Sequence, residues 1–313
     1  MVIATRSRPE ALLRCVASVL ESRHDSFEVI VVEQSEPPTP LPDDKRIDHI
    51  LSSTRGKSAA LNVGIAAAKA EIVAFTDDDC TVPRDWLAKA EGLLSEYPEV
   101  DLAFGNLTAI PHDPTSSFVP IAEMGRFQVL RGCSAVHVRG GAGADLLARR
   151  SLFATIGGFD EEIGPGSRFP ACEEFDLYYR ALAAGCSVAR APELEVTHWG
   201  ARPYADGSGQ ALQRGYEYGE GVVLGKHMRL GDRGIIRPAV EILGWGFVHF
   251  IQTFFRSEKH ERDLYICRVR GTIAGVFSGV DRRRRVFKKR EVTLRKSDRT
   301  PNLPRRREVR AES

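Results

Sequence analysis

The chain has 313 residues, of which 42% are hydrophobic and 27% charged, a composition that excludes collagen-like, disulfide-scaffold and wholly disordered proteins. The formal net charge of +2 is unevenly distributed, because residues 281–313 hold 14 Lys and Arg against 5 Asp and Glu. The first 280 residues are therefore mildly acidic, which argues against a folded core that binds nucleic acid.

The six cysteines are scattered along the chain, with no CxxC pair and no histidine pair at zinc-finger spacing. This distribution is typical of free thiols in a reducing compartment. The chain opens directly on a strand-like run and shows no basic region followed by an apolar run, so no secretion signal is visible. We therefore expect a cytoplasmic protein.

Short apolar runs and helical patterns alternate over the first hundred residues. Strands are predicted at residues 2–5, 27–32, 71–76 and 100–105, and helices at residues 56–69 and 85–96. A further helix is predicted after Ser7-Arg8-Pro9-Glu10, which has the spacing of a capping box. Strands alternating with helices of this length predict an α/β fold, with a mostly parallel central sheet flanked by helices.

Three adjacent carboxylates, Asp77, Asp78 and Asp79, directly follow the strand predicted at residues 71–76. Their mutual repulsion is costly unless a cation or solvent relieves it. Aspartate is also common in ordinary solvated turns, so the triplet alone leaves both explanations open. Ligands bind at the carboxyl ends of parallel strands, and this position favours a site for Mg²⁺ or Mn²⁺.

Acidic residues also cluster at Glu173, Glu174 and Asp176, where a helical pattern begins. The helix dipole favours negative charge in a first turn, so a plain helix start explains the cluster when it is considered alone. A short strand is predicted at residues 194–197, directly before His198.

Seven short motifs occur in the same order as in the family 2 glycosyltransferases, which have the A-type nucleotide-sugar-binding fold. In this chain they are VIATRSRP from residue 2, VVEQS from 31, GKSAALNVG from 56, FTDDD from 75, GGFDE from 157, EEFDLYYR from 173 and VTH from 196. Each motif is weak alone, but together they span about residues 1–200, and the chain strongly resembles this family. The resemblance implies metal-dependent, inverting transfer of a sugar from a nucleotide-diphosphate sugar to an acceptor hydroxyl, as in polysaccharide, glycolipid or cell-envelope biosynthesis.

The resemblance also implies which residues bind the donor and which bind the metal. Asp77 and Asp79 match the outer acids of the family's DxD motif, and with His198 they are the expected ligands of Mg²⁺ or Mn²⁺. Glu33 matches the acid that often meets the nucleobase. The residues expected to bind the nucleotide-sugar donor are Thr5, Arg6, Arg8, Glu33, Lys57, Asn62, Asp77 and Asp78. For His198, and for basic residues such as Arg8 and Lys57, a packed or solvent-facing side chain is the alternative.

The resemblance also implies that an acidic residue removes the proton from the acceptor hydroxyl. The family usually has Glu-Asp at this motif, with the second acid as base, which assigns the role to Glu174. Glutamate stands here where aspartate is usual, so Glu173 remains a second candidate. Asp145 and Asp176 are expected to contact the carbohydrate or lipid-linked acceptor, with a structural role as the alternative for Asp176.

Residues 201–280 lie outside the specific resemblance and are predicted to be a helical extension. Their apolar stretch at residues 242–255 is too short for a confident spanning helix. It is either a helix packed on the catalytic domain or an interfacial helix that brings the protein to a lipid-linked acceptor. The basic tail favours attraction to an anionic membrane surface, with nucleic-acid binding or a solvated tail as alternatives.

The predicted organisation therefore has three parts. A catalytic domain covers residues 1–200, with a nucleotide-sugar half to about residue 105 and an acceptor half from about 106. A helical, membrane-facing extension covers 201–280, and a basic, disordered tail covers 281–313. We accordingly expect a cytoplasmic protein that is peripheral on the inner face of the membrane.

Two other functions remain open on the sequence. A sugar-phosphate nucleotidyltransferase would also use strand-end acids and Mg²⁺, but it would want a glycine-rich phosphate loop near the N-terminus, and we find none. A non-catalytic carbohydrate- or lipid-binding protein on the same scaffold is the other alternative. The acids at Asp77, Asp79 and Glu174 argue against it.

Overall fold

The computed structural model describes residues 1–138, 140–255 and 259–289. The strands are β1 Val2–Thr5, β2 Val29–Glu33, β3 Ile47–Leu51, β4 Ile72–Asp77, β5 Cys80–Thr81, β6 Val100–Ala109, β7 Ser117–Phe118, β8 Gln128–Leu130, β9 Leu146–Arg149, β10 Ser187–His198, β11 Arg202–Pro203, β12 Val280–Asp281 and β13 Val286–Phe287. The α-helices are α1 Pro9–Leu20, α2 Lys57–Ala67, α3 Trp86–Glu96, α4 Arg150–Ile156, α5 Glu173–Ala183, α6 Ser208–Leu230, α7 Arg233–Phe255 and α8 Lys259–Phe277, with a 3₁₀ turn at Cys133–His137.

One mixed sheet organises the first two hundred residues, in the order β3-β2-β1-β4-β9-β6-β10-β5, with β8 on β10. Strands β3, β2, β1 and β4 are parallel neighbours, as are β6 and β10. Strand β9 lies antiparallel between β4 and β6 and joins the two parallel groups. The predicted α/β fold with a mostly parallel sheet is therefore confirmed.

Helices cover both faces of this sheet and bury two apolar layers. One layer contains Leu12 and Val16 of α1 with Trp86 of α3, and the other contains Leu61 of α2 with Leu177 of α5. Strand β2 reads Val-Ile-Val-Val-Glu and is buried at every position, as expected for a parallel strand packed on both faces.

One local prediction was wrong, and one strand was not predicted. Helix α1 begins at Pro9, and neither Ser7 nor its N-cap residue Arg8 makes a side-chain capping hydrogen bond. Ser7 instead has a φ of 56°, and its amide donates to Ser35 Oγ at 2.7 Å. Strand β3 was missed, since its sequence Ile-Asp-His-Ile-Leu is only partly apolar.

The predicted helical extension consists of α6, α7 and α8. Helices α6 and α8 pack closely, and glycines permit this approach. A Cβ on Gly225 of α6 would lie 2.8 Å from the amide nitrogen of Val276, and a Cβ on Gly275 of α8 would lie 2.8 Å from that of Lys226. Larger residues at either position would force the two backbones apart.

Helix α7 carries the apolar stretch and is longer than the sequence predicted. The segment Arg233–Thr253 is long and apolar enough to cross a membrane by length and composition, with a mean hydropathy of 1.3, and only 17% of its most apolar window is buried. Trp245 is 74% exposed, and Phe247 and Val248 are also exposed. In the described residues, packing on the catalytic domain therefore covers little of this helix.

The predicted tail begins later than the sequence indicated. Strands β12 and β13 form a hairpin around the arginine run, and Phe287 is buried against Phe169. Arg285 pairs with Asp232, and Lys289 Nζ lies 2.6 Å from Glu161 Oε2. Residues 281–289 are thus part of the folded protein, and the rest of the predicted disordered tail lies outside the described residues.

A buried ionic network joins the extension to α5. The Lys226 ammonium of α6 is fully buried and lies 2.7 Å from Asp160 Oδ2 and 2.6 Å from Asp176 Oδ1. Asp176 also accepts a hydrogen bond from Arg180 Nε and contacts His227 Nε2 at 3.0 Å. Burial alone would raise the pKa of Asp176, but the surrounding cations outweigh it and hold the pKa well below its usual range.

Removing the Lys226 charge should destabilise the protein strongly. Lys226→Met would leave Asp160 and Asp176 buried without their ammonium partner, which typically costs about 3–5 kcal/mol. Lys89→Met is the matched control, because Lys89 forms an exposed pair with Asp85, and exposed ion pairs contribute little to stability. Urea unfolding of both variants measures the difference, and equal losses of stability would contradict the role given to the network.

Candidate active site

A cavity of about 590 Å³ lies at the edge of the sheet where β4 and β10 end. Asp77 ends β4 and His198 ends β10, and both line the cavity. Glu173 and Glu174, from the first turn of α5, line it as well. The fold therefore brings residues from three separate sequence motifs to one cavity.

The loop after β1 contacts the aspartate triplet. Thr5 Oγ1 donates to Asp78 Oδ2 at 2.7 Å, and Arg8 Nη1 lies 3.1 Å from Asp78 Oδ1 and 3.0 Å from Asp79 Oδ2. Asp78 is buried, and burial raises its pKa above the usual range. The middle acid of the triplet thus connects two loops of the chain.

Asp79 lies among positively charged or ionisable partners. Its Oδ1 is 3.1 Å from His198 Nε2, and its Oδ2 is 3.5 Å from Arg202 Nη2, in addition to the contact with Arg8. Burial would raise the pKa of Asp79, but the hydrogen bond with His198 and the nearby arginine charges outweigh it and hold the pKa well below its usual range. Asp79 is therefore a permanent anion at the end of β4.

The donor atoms around Asp79 fit a divalent cation. Asp79, Cys80 and His198 each offer a ligand atom within 4.8 Å of the others. Within the ranges that the structure describes, His198 Nδ1 is buried without a hydrogen-bond partner. A Cβ on Gly200 would lie 2.9 Å from His198 Cε1, so only glycine keeps this space open. Carboxylate and imidazole ligands suit Mn²⁺, whereas burial raises the pKa of the Cys80 thiol well above its usual range.

Lys57 connects the aspartate triplet to the acids of α5. Its Nζ lies 2.5 Å from Asp77 Oδ1 and 3.2 Å from Glu173 Oε1. Burial would lower the pKa of Lys57, but the charges of Asp77 and Glu173 outweigh it and raise the pKa well above its usual range. A permanent cation thus lies between the two acidic motifs.

Glu174 follows Glu173 in the first turn of α5, whereas the ion pairs of Lys57 are with Asp77 and Glu173. It is half-buried at the cavity wall, close to Gly143, where an added Cβ would lie 3.4 Å from Glu174 Cβ. Burial and the charge of Glu173 raise the pKa of Glu174 from 4.5 to about 8. A carboxyl with a pKa in this range is suited to accept a proton near neutral pH.

Two residues expected at the donor have partners elsewhere. Glu33 is buried, its carboxylate accepts hydrogen bonds from Thr39 N and Oγ1, and it contacts His49 at 2.8 Å. Asn62 donates to the Phe159 carbonyl at 2.9 Å and accepts from the Phe159 amide at 2.8 Å. Glu33 thus contacts the loop after β2 and Asn62 contacts the GGFDE segment, and their roles at the donor stay predictions.

The two residues expected at the acceptor also lie in the interior. Asp145 is fully buried and accepts a hydrogen bond from Trp86 Nε1 at 3.2 Å, and burial raises its pKa well above the usual range. Asp176 belongs to the buried network around Lys226. The structural alternative for Asp176 therefore fits, and the acceptor-binding prediction is corrected for both residues. Arg6, expected at the donor, is exposed on the loop after β1.

The sequence did not single out two groups that the structure brings to the site. Arg202 reaches Asp79 from beyond β10, and Tyr216 of α6 lines the cavity. Burial and the charge of Glu174 raise the pKa of the Tyr216 hydroxyl well above its usual range. A signal for α6 did exist, because Lys226 and His227 interrupt its apolar pattern and charged residues on a buried helix face require partners.

Glu174 should make stability depend on pH in a defined window. Between pH 4.5 and about 8, the folded protein holds a proton on Glu174 that the unfolded chain has released. The free energy of unfolding should therefore receive a contribution from this group that falls as pH rises. Glu174→Gln should gain stability relative to the wild type as pH rises from 4.5 to 8, measured by urea unfolding, and a pH-independent difference would contradict the raised pKa.

Comparison with known proteins gives the same family as the motifs. The family model described as glycosyl transferase family 2 matches residues 1–157. The pre-mycofactocin glycosyltransferases of Mycobacterium tuberculosis strains CDC 1551 and H37Rv are each 29% identical over 154 residues, covering 46% of this chain and 30% of theirs. The match thus spans less than a third of these relatives' length.

A solved structure extends the likeness to most of the fold. The mannosyltransferase from Pyrobaculum calidifontis, in complex with GDP-Man and Mn²⁺, matches with a TM-score of 0.52 at 15% identity, over 88% of this chain and 86% of that chain. At this identity the likeness concerns the fold, and it confirms the predicted A-type glycosyltransferase fold. Since the family model covers half of the chain and the motifs occur in the family's order, the protein belongs to glycosyl transferase family 2.

Proposed function

We propose that the protein transfers a sugar from a nucleotide-diphosphate sugar to an acceptor hydroxyl, in a metal-dependent reaction that inverts the anomeric centre. One observation carries this proposal: a single cavity is lined both by Asp77 and His198 at the strand ends and by Glu173 and Glu174 of α5. Displacement of a diphosphate requires positive charge at the leaving group and a base at the acceptor, and this cavity offers both.

The donor side would neutralise the leaving diphosphate. Asp79 and His198 are the residues that would hold Mg²⁺ or Mn²⁺, which supplies positive charge to the developing phosphate oxyanion. The side chain of Arg8 is 46% exposed and pairs with Asp79. Its guanidinium would therefore lie close to the diphosphate as a further positive charge. Lys57 adds a second cation next to Asp77.

The acceptor side would be activated by Glu174. Its raised pKa places proton uptake near neutral pH, whereas the Glu173 carboxylate is engaged by Lys57. Glu174 would take the proton of the acceptor hydroxyl while that oxygen attacks the anomeric carbon from the face opposite the diphosphate. The C–O bond to the diphosphate breaks as the new glycosidic bond forms, which inverts the centre.

Family membership disfavours both alternatives. A sugar-phosphate nucleotidyltransferase would use its acids to activate attack on a nucleotide phosphate, whereas here an acid with a raised pKa, Glu174 of α5, lines the same cavity as Asp77. A non-catalytic binding protein would not require Lys57 to pair with both Asp77 and Glu173. The pathways we propose are polysaccharide, glycolipid or cell-envelope biosynthesis.

We further propose that α7 lies on the anionic inner face of the cytoplasmic membrane. Its aromatic side chains Trp245 and Phe247 are exposed, and Arg233 and Arg237 lie in its first turns. Aromatic residues favour the interface between lipid and water, and each basic residue near an anionic surface adds about 1 kcal/mol of attraction.

The metal proposal predicts the behaviour of one conservative variant. Asp79→Asn preserves side-chain size but removes the charge, so nucleoside diphosphate should no longer stabilise the protein more strongly in the presence of Mn²⁺. In the wild type, ligand at 100 times its dissociation constant should add about 2.7 kcal/mol, measured by thermal shift. Asp78→Asn is the control, since Asp78 is not among the residues whose ligand atoms cluster with that of Asp79, and unchanged metal dependence in Asp79→Asn would refute the assignment.

The base proposal predicts a loss of transfer with donor binding retained. Glu174→Gln should lower kcat for transfer by about 10² to 10⁴-fold, and kcat/KM of the wild type should rise with pH until about 8, because the base acts only when deprotonated. Nucleoside diphosphate affinity should barely change. Glu173→Gln, assayed in parallel, separates the candidates: if it loses transfer while Glu174→Gln keeps it, Glu173 is the base.

The membrane proposal predicts salt-sensitive attachment to vesicles. The full chain should co-sediment with anionic phosphatidylglycerol vesicles and be released at high salt, since attraction between surface charges is screened. A Trp245→Ser/Phe247→Ser double variant should bind these vesicles at least about tenfold more weakly, because it loses the apolar contact. Equal binding to neutral and anionic vesicles would argue against the electrostatic part.

A further inference from the structure

The cavity also has an apolar part that the proposed reaction does not use. Beyond its acidic residues, its wall contains apolar side chains from β6, β7, the following loop, α5 and α8, namely Phe104, Phe118, Ile121, Met124, Phe175 and Leu264. The donor's diphosphate and sugar are polar and would gain nothing from this wall. It therefore suits a different part of the bound molecules.

Ile121 marks where the apolar wall reaches solvent. It lines the cavity and is nevertheless 58% exposed, so the folded protein leaves much of this large aliphatic side chain in water. An acceptor made only of hydroxyl-rich sugar would lose hydrogen bonds to water against this wall. An alkyl chain would instead be stabilised there, by about 0.8 kcal/mol for each buried CH₂ group.

Helix α8 links this wall to the exposed surface of α7. Leu264 lines the cavity, while the adjacent Tyr265 packs against Phe247 and Phe250 of α7, with ring centroids 6.4 Å and 5.3 Å apart. Phe247 is itself exposed on the surface that we assign to the membrane. One helix thus carries apolar side chains both into the cavity and toward the lipid-facing helix.

We propose that the acceptor is an amphiphile, whose hydroxyl-bearing head reaches Glu174 and whose alkyl tail lies along Phe118, Ile121 and Leu264. This inference rests on the proposed function, because it places the acceptor at the same cavity. It adds the substrate class: a lipid-linked or alkyl-linked hydroxyl compound rather than a free sugar.

A pair of simple glucosides tests the tail directly. In equilibrium dialysis with the full chain, n-octyl β-D-glucopyranoside below its micellar concentration should bind at least about tenfold more tightly than methyl β-D-glucopyranoside, since only the octyl chain can cover the apolar wall. Equal affinities of the two glucosides would overturn the proposal.

Single variants then locate the binding site. Ile121→Ser should weaken octyl glucoside binding about fivefold and leave methyl glucoside binding unchanged, and this exposed position tolerates serine without unfolding. Leu51→Ser is the matched control, because Leu51 is 59% exposed and lies on β3, outside the cavity lining, and it should change neither affinity. If Trp245→Ser weakens octyl binding and Ile121→Ser does not, the alkyl chain binds the α7 surface and the proposal is wrong.

Donor hydrolysis separates this inference from the function on which it rests. Slow hydrolysis of a nucleotide sugar with Mn²⁺, together with octyl selectivity that depends on Ile121, supports both proposals. Hydrolysis without octyl selectivity refutes the amphiphilic acceptor alone. Hydrolysis of none of a panel of nucleotide sugars refutes the proposed function, whatever the glucosides show.

Discussion

The Lys226 ammonium lies fully buried between the carboxylates of Asp160 and Asp176, and the geometry of the site depends on this contact. Buried charges are stable only when paired at close range, so the network tolerates little displacement of any member. Asp176 stands on the same helical turn as Glu173 and Glu174. Because the network holds Asp176 in place, it also fixes the direction in which Glu173 and Glu174 project from the same turn.

The same contact joins α6 to the part of the fold that carries the cavity acids. The match to the family model ends at residue 157, before α5 begins, whereas the residue that neutralises Asp176 comes from α6. Tyr216 of α6 also lines the cavity. The same helix therefore both holds Asp176 in place and contributes to the cavity wall. The predicted division at residue 200 thus crosses an ionic network rather than a linker.

Local pattern made the sheet, most of its helices and the acids of the site predictable. Strand β4 is an apolar run that ends at Asp77, and the sequence of this segment alone shows both the run and the acid. Roles that depend on distant partners were not predictable. Asn62 bonds to a backbone 97 residues away, and Asp176 to an ammonium 50 residues away, and no spacing within either motif reveals those partners. The resemblance assigned both residues to ligands, whereas the structure shows their partners within the protein.

The arrangement of the network has a consequence for synthesis on the ribosome. The Asp160 carboxylate meets Lys226 after a further 66 residues of chain, and it accepts the Phe287 amide only after 127. Until those segments emerge, the carboxylates of Asp160 and Asp176 lack the Lys226 ammonium, so their burial would carry an uncompensated desolvation penalty. These buried charges are therefore fully compensated only when the chain is present as far as the hairpin, and we expect α5 to reach its final packing after that segment is synthesised.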